Sequence, residues 1–360
     1  LVLALPVTQR ALSCCALIVT ADGRPVSSAS AAIVVARDGP HVVMSLAVSV
    51  PSARQPQAVL IPLPDPMTPP RATPLDPASL NPLLAQTAPR LLPIADRDPC
   101  FPHPDAPPLP AARANTAIPG QPGRPDFALF DSAGDGLAAW LAARGLPSPP
   151  LRQADGPILA LGVSPAATVT SVQLRYDAPQ ITVPALPDDT DTTLLTLTRD
   201  GRTEPVNLAN RRMPGGAELP EFVLEQFAHF YAAALRHTGA AAVLTEFAGF
   251  DRASDLTQLG AGWRQPTGVF ITRLHLHQSS DLTLGETTDT TPTRVQYLTR
   301  IGWKGQYTLA CSAGFDYRHA LTARWQAENA TLAALTGWQP DAIRHAMVAQ
   351  WQRTREHPSD

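Results

Sequence analysis

Residues 219–250 constrain the fold most. The run LPEFVLEQFAHFYAAALRHTGAAAVLTEFAGF opens on a proline, carries apolar residues at helical spacing, stops at a glycine and resumes as a β-rich segment. Pro220, beside Glu218 and Glu221, suits a helix start. A missing N–H costs nothing there, and acids meet the positive end of the helix. Val223, Phe227, Phe230, Tyr231 and Ala234 fall on one face, and Arg236 and His237 sit at the negative end before Gly239. The spacing predicts one long helix packed through an aromatic stripe, then a strand over 241–247. A chain built around such a unit is neither all-helical nor all-sheet.

Toward the N-terminus the pattern is strand and turn. Ala16–Thr20, Ala31–Arg37, His41–Val50 and Ala58–Leu63 read as four strands, with Arg37-Asp38-Gly39 as a hairpin signal between the second and third. The 39 prolines crowd between Pro51 and Pro125 and again at Pro147–Pro150, which marks connecting segments and not general disorder. A short helix is expected within Leu80–Leu92, around Leu83-Leu84-Ala85-Gln86. Asp126–Asp131 reads as a strand, followed by a helix capped by Ser132, striped by Leu137, Trp140 and Leu141 and stopped by Gly145. Strands follow at Pro157–Val163, Thr168–Tyr176, Gln180–Leu186 and Leu194–Thr198. In the second of these, Thr170, Val172, Leu174 and Tyr176 form the better buried face. Beyond the central stretch come a strand at Gly268–His277, a hairpin from Arg294 to Cys311 turning at Lys304-Gly305, and helices at Arg318–Thr336 and Asp341–Arg355.

The expectation is therefore an α+β protein. It has an antiparallel β-rich N-terminal part, a central mixed α/β unit with a long packed helix, and C-terminal strands with two helices. Residues 1–13 form a leader remnant, 14–125 the β-rich region with its proline-rich connection, 126–250 the centre and 251–360 the C-terminal part. At 360 residues the chain has room for two or three packed units. A net charge of −3 offers no basic face for nucleic acid, so no nucleic-acid partner is expected. No run is apolar for long enough to span a bilayer.

The N-terminus suggests export. An apolar, charge-free opening leads to Ala11 and Ser13, at −3 and −1 from Cys14, which is the small-residue pattern of a signal-peptidase site. The alternative is an ordinary buried first strand. The expected location is extracytoplasmic, secreted or at the cell surface, with membrane contact only through the export signal or an anchor. Four cysteines, Cys14, Cys15, Cys100 and Cys311, fit disulfide use in such a compartment. Neighbouring residues have Cα atoms about 3.8 Å apart, too close for an unstrained bridge, so Cys14 and Cys15 are each expected to pair with Cys100 or Cys311. A four-cysteine zinc site lacks any CxxC spacing.

Few residues point to chemistry. His275 and His277 share one face of their strand, and zinc or copper would accept the pair with Glu246 or Asp281 as a third ligand. The plainer reading is a solvated strand face, with no cofactor. Glu225 and His229 stand four apart on the expected helix, as an acid/base pair or as a surface pair. Asp188, Asp189 and Asp191 would form a calcium site or a polar turn; the Gly and Glu of an EF-hand loop are absent. Cys100 and His103 lack an orienting third group for nucleophilic catalysis. No GxSxG, GxGxxG, phosphate-loop or HExxH motif occurs.

Several short motifs recur together in order. They are Val59-Leu-Ile-Pro-Leu-Pro64, Thr87-Ala-Pro-Arg90, Phe130-Asp-Ser-Ala133 leading into Leu137-Ala-Ala-Trp-Leu141, Leu174-Arg-Tyr176, Leu244-Thr-Glu-Phe-Ala-Gly249 and Tyr297-Leu-Thr-Arg300. In this order the chain resembles a bacterial exported family known only as domain of unknown function 2330. The likeness covers most of residues 14–315, and it departs at 306–315 and at the polar C-terminal helix. It implies export and an α+β fold, and it implies no activity. Two function classes follow: an extracytoplasmic binding or structural module without catalysis, and a metal-assisted hydrolase using His275 and His277. Glu246 decides how far residues 219–250 are more than architecture, because a carboxylate on a core strand needs a partner.

Overall fold

A computed structural model describes residues 16–23, 26, 30–51, 55–64, 70–101, 109–149, 156–187, 190–238, 243–252, 254–261, 268–276, 281–305 and 311–356. The expected leader at 1–13, Cys14, Cys15, His103, Asp188, Asp189, His277 and the strand segment 306–310 lie outside the described residues.

The described residues form twenty strands and five α-helices. The first half holds β1 (Leu17–Thr20), β2 (Ser30–Asp38), β3 (His41–Ser49), β4 (Gln57–Pro62), β5 (Arg71–Thr73), α1 (Asn81–Thr87), β6 (Arg90–Ala95), β7 (Ala112–Arg113), β8 (Phe127–Phe130), α2 (Asp135–Ala142), β9 (Ile158–Val163) and β10 (Val169–Asp177). The second half holds β11 (Ile181–Val183), β12 (Asp191–Thr198), β13 (Thr203–Pro205), β14 (Asn210–Arg212), β15 (Glu218–Leu219), α3 (Phe227–Thr238), β16 (Val243–Asp251), β17 (Val269–Leu276), β18 (Leu282–Glu286), β19 (Thr293–Arg294), β20 (Gln296–Ile301), α4 (Ser312–Thr336) and α5 (Pro340–Glu356). The α+β class is as expected. The compact units are not consecutive segments. The first gathers residues 1–82, 117–211 and 241–291, and the second gathers 83–116, 212–240 and 292–360.

The first unit is layered. Its large sheet includes the run β16-β17-β12-β2-β3-β10-β5, whose pairs are antiparallel except for β12–β2. A second antiparallel sheet runs β1-β4-β9-β8. Ile33, Val35, Met44, Leu46, Val172 and Leu174 of the first pack with Val59, Ile61, Leu159 and Leu161 of the second in one continuous core. On the far side of the second sheet, Leu60 and Ala160 meet Leu137 and Leu141 of α2. Strand β2 is buried on both faces, which is why Ala31–Ala36 is an unbroken apolar run. The β2–β3 hairpin turns as expected, with Gly39 at φ +60°. On β10 both faces are buried as far as Leu174, so Ser171 and Gln173 lie inside as well. They are satisfied there: Ser171 donates to the Leu75 carbonyl at 2.6 Å, and Gln173 donates to Ser45 and to the Gln258 carbonyl.

The second unit sets helices on the sheet β15-β20-β6-β7, in which β15, β20 and β6 are parallel. Residues 219–238 do not form one helix. A 3-10 turn over Glu221–Leu224 precedes α3, and the break lets Phe222 and Val223 turn inward along with Phe227. Phe227 and Phe230 then meet the ring of Tyr297 edge-on. Helix α4 starts at Ser312, six residues before the expected Arg318, and Cys311 is its extended N-cap residue. Arg90–Ala95 forms β6, where the end of the short helix is expected over 90–92 and the connection over 93–95. Its Pro93 lies past the two residues that β7 pairs, where a missing N–H is tolerated.

The expected disulfide connectivity is also corrected: Cys100 is bonded to Cys311, with Cα atoms 5.8 Å apart. Both belong to the second unit. Asp96, at the end of β6, binds Tyr317 and Arg324 of α4, and that contact brings the two cysteines together.

Candidate functional site

Strand β17 explains the most polar part of the first unit. It is flanked by β12 and β16 and is buried along its whole length. Leu274 and Leu276 join the apolar core, which leaves Arg273 and His275 on the opposite face. That face is not solvated: Arg273 has no exposed surface and His275 is 1% exposed. The partner strand β16 accommodates them with a bulge. Thr245 pairs Leu274 and Phe247 pairs Arg273, so Glu246 is the extra residue. A bulge re-aims a side chain, and here Glu246 turns onto its neighbour. Arg273 Nε donates to Glu246 Oε2 at 2.6 Å, and both side chains are fully buried. His275 Nδ1 lies 3.5 Å from Asp191 Oδ1 and 3.8 Å from Glu246 Oε1. Asp191, at the start of β12, is about a third exposed, so the charged groups run from the interior toward solvent.

This arrangement differs from the expected metal set. Asp281 stands elsewhere: its carboxylate accepts from the Ala185 N–H at 2.8 Å, and its carbonyl accepts from Asn207. Among the described residues no three His, Cys, Asp or Glu side chains converge at ligand spacing. Glu225 lies in the turn before α3, and His229 stacks on Trp338, with centroids 5.1 Å apart. Cys100 is taken by its disulfide.

The second unit holds a different constellation, which sequence reasoning missed. Asp96 Oδ2 accepts from Tyr317 at 2.7 Å and from Arg324 at 2.6 Å. Tyr317 in turn accepts from the Trp303 N–H, and burial with the Asp96 bond pushes its hydroxyl up to about 12. Arg300 pairs with Glu218 at 2.8 Å. Lys304, the single lysine, pairs with Glu221 at 2.7 Å. Glu328 faces a small cleft with Glu221, Phe222, Trp325, Met347 and Trp351. Its room of about 20 Å³ admits a water and little more. One signal was available in the sequence: Glu328 follows Leu321 by seven residues and precedes Leu332 by four, the spacing of a buried helix stripe.

The profile of a family described as an uncharacterized protein conserved in bacteria (DUF2330) matches residues 9–291, most of the chain. The chain belongs to that family. The match to DUF2330 takes in Asp191, Glu246, Arg273 and His275; Tyr297–Arg300 and Glu328 lie beyond it. No curated protein matches the chain. A solved structure of baculovirus P35 is similar to this DUF2330 member at 6% identity and a TM-score of 0.28, over 78% of this chain and 99% of that one. That likeness is too weak to carry an argument.

Proposed function

We propose that this DUF2330 member works outside the cytoplasm as a non-catalytic binding or structural module. The Cys100–Cys311 bond is the observation that carries the location, because such bridges persist in oxidising compartments. The apolar opening that ends in Ala11-Leu-Ser13 supports the same reading. The non-catalytic part rests on Glu246. Its carboxylate is committed to Arg273 inside the sheet, as a structural ion pair would be. No helix among the described residues is long and apolar enough to cross a membrane.

Protease treatment of intact and of lysed cells tests the location, with thiol counting on the recovered protein. Cleavage in intact cells with Cys100 and Cys311 oxidised is the expected result; full protection together with reduced cysteines overturns the reading. A hydrolase substrate panel with added zinc tests the rest. Turnover that disappears in the Glu246→Gln variant overturns the non-catalytic part.

A further inference from the structure

Helix α4 carries a carboxyl where its buried stripe calls for an apolar side chain. Gly314, Leu321 and Glu328 recur every seven residues on its inner side, with Leu332 one turn beyond. Glu328 is 4% exposed. No hydrogen bond to its carboxyl is formed among the described residues. Among the described residues its ion-pair partner is Arg324, with Nε 3.5 Å from Oε1, and Arg324 is itself drawn to Asp96 at 2.6 Å. Hydrogen bonds satisfy an ionised carboxylate, and a buried one without them favours its neutral form.

The other groups around Glu328 come from each element packed on α4. Asp96 approaches from β6, Glu218 from β15 and Glu221 from the 3-10 turn. Arg300 of β20 and Lys304 beyond it are paired with Glu218 and Glu221. Helix α5 offers the neutral Gln350. On α3, His237 stands beside Gly337 at the far end of α4.

We propose that Glu328 makes the seating of α4 and α5 on the β15–β20–β6 strands responsive to pH. With the carboxyl protonated, the helix stays seated and the cleft closed. Release of the proton to solvent leaves a buried anion facing Asp96, Glu218 and Glu221, and α4 loosens. Burial pushes the Glu328 carboxyl up to about 8; Arg324 opposes this, and Glu218, Asp96 and Glu221 add to it. The native unit thus holds a proton that the unfolded chain releases in the ordinary carboxylate range. Its stability falls as pH rises from that range to about 8. The Cys100–Cys311 bond keeps the start of α4 tethered while the rest opens.

Hydrogen exchange on the full chain, disulfide intact and corrected for intrinsic rates, tests the proposal. The opening equilibrium of α4 amides should rise about tenfold or more between pH about 6 and pH about 9, and the Glu328→Gln variant should abolish that rise. Equal protection at both pH values, or an undiminished rise in the variant, overturns it. Should the variant not fold, carboxyl NMR of the wild-type chain decides. A Glu328 midpoint above about 6.5 upholds the proposal, and a lower one overturns it.

Discussion

Each compact unit buries a glutamate near an arginine, and the two pairs are built differently. In the first unit, Glu246 sits on a strand bulge 2.6 Å from Arg273, and neither side chain is exposed. In the second, Glu328 lies on a helix 3.5 Å from Arg324, whose guanidinium is already bound to Asp96. Coulomb attraction at contact offsets much of the desolvation of a buried pair; a longer, shared contact does not. A difference of about one ångström therefore separates a close ion pair from a carboxyl that burial pushes up to about 8.

Four experiments break or sharpen this contrast. The largest effect is expected for Arg273→Met, which strands Glu246 in the sheet. Urea unfolding should show a loss of about 3–5 kcal/mol, with much of it recovered when Glu246→Met is added. A loss under about 1 kcal/mol would mean that the pair is not locked.

Next comes the disulfide. Replacing Cys100 and Cys311 by serine releases a loop spanning 211 residues, and a loss of about 2–4 kcal/mol is expected. The loss should fall on the second unit, so limited proteolysis should cut near α4 first. Equal sensitivity in both units would erase the distinction between them.

Glu328→Gln should act with the opposite sign. Because burial raises this carboxyl to about 8, the variant should gain about 1–3 kcal/mol at pH about 9 and almost nothing at pH about 4, read from thermal unfolding across that range. A gain that does not vary with pH would assign the effect to packing instead.

The smallest effect is expected at a partly exposed carboxylate. Arg144 holds Asp126 through two bonds of 2.9 and 2.6 Å and lies 3.7 Å over the Trp140 ring. Removing it with alanine should cost about 1 kcal/mol in a thermal scan, and less at high salt. A loss as large as that of Arg273→Met would show that burial is not what separates the carboxylates.

Much of this was legible in the chain and some was not. The β2–β3 hairpin, α2 with Leu137 and Leu141, and the aromatic stripe of α3 follow from local spacing, and local spacing is written in consecutive residues. The His275 environment is different. Alternation placed it correctly across from Leu274 and Leu276, but alternation says nothing about what covers the second face. Strand β6 was missed because Pro93 argues against a strand until its open edge is seen. Cysteine counting put Cys100 and Cys311 among the disulfide candidates, and adjacency argued against a Cys14–Cys15 bridge. Nothing in the count said that Cys100 and Cys311 would meet, since their meeting depends on β6 and α4 sharing Asp96.

The sequence by itself determined the α+β class and the apolar stripes on which the elements pack, because each is a property of composition and short-range periodicity; membership of the DUF2330 family rests instead on motifs in order and on the match over residues 9–291. Only the tertiary structure decided that Glu246 takes Arg273, that Glu328 has a long and shared partner, and that the cysteines at 100 and 311 join. Those outcomes turn on distances between residues 4 to 211 positions apart, set by a bulge, a helix register and a parallel strand pairing. Desolvation and charge attraction are steep functions of such distances, and a linear chain does not encode them locally.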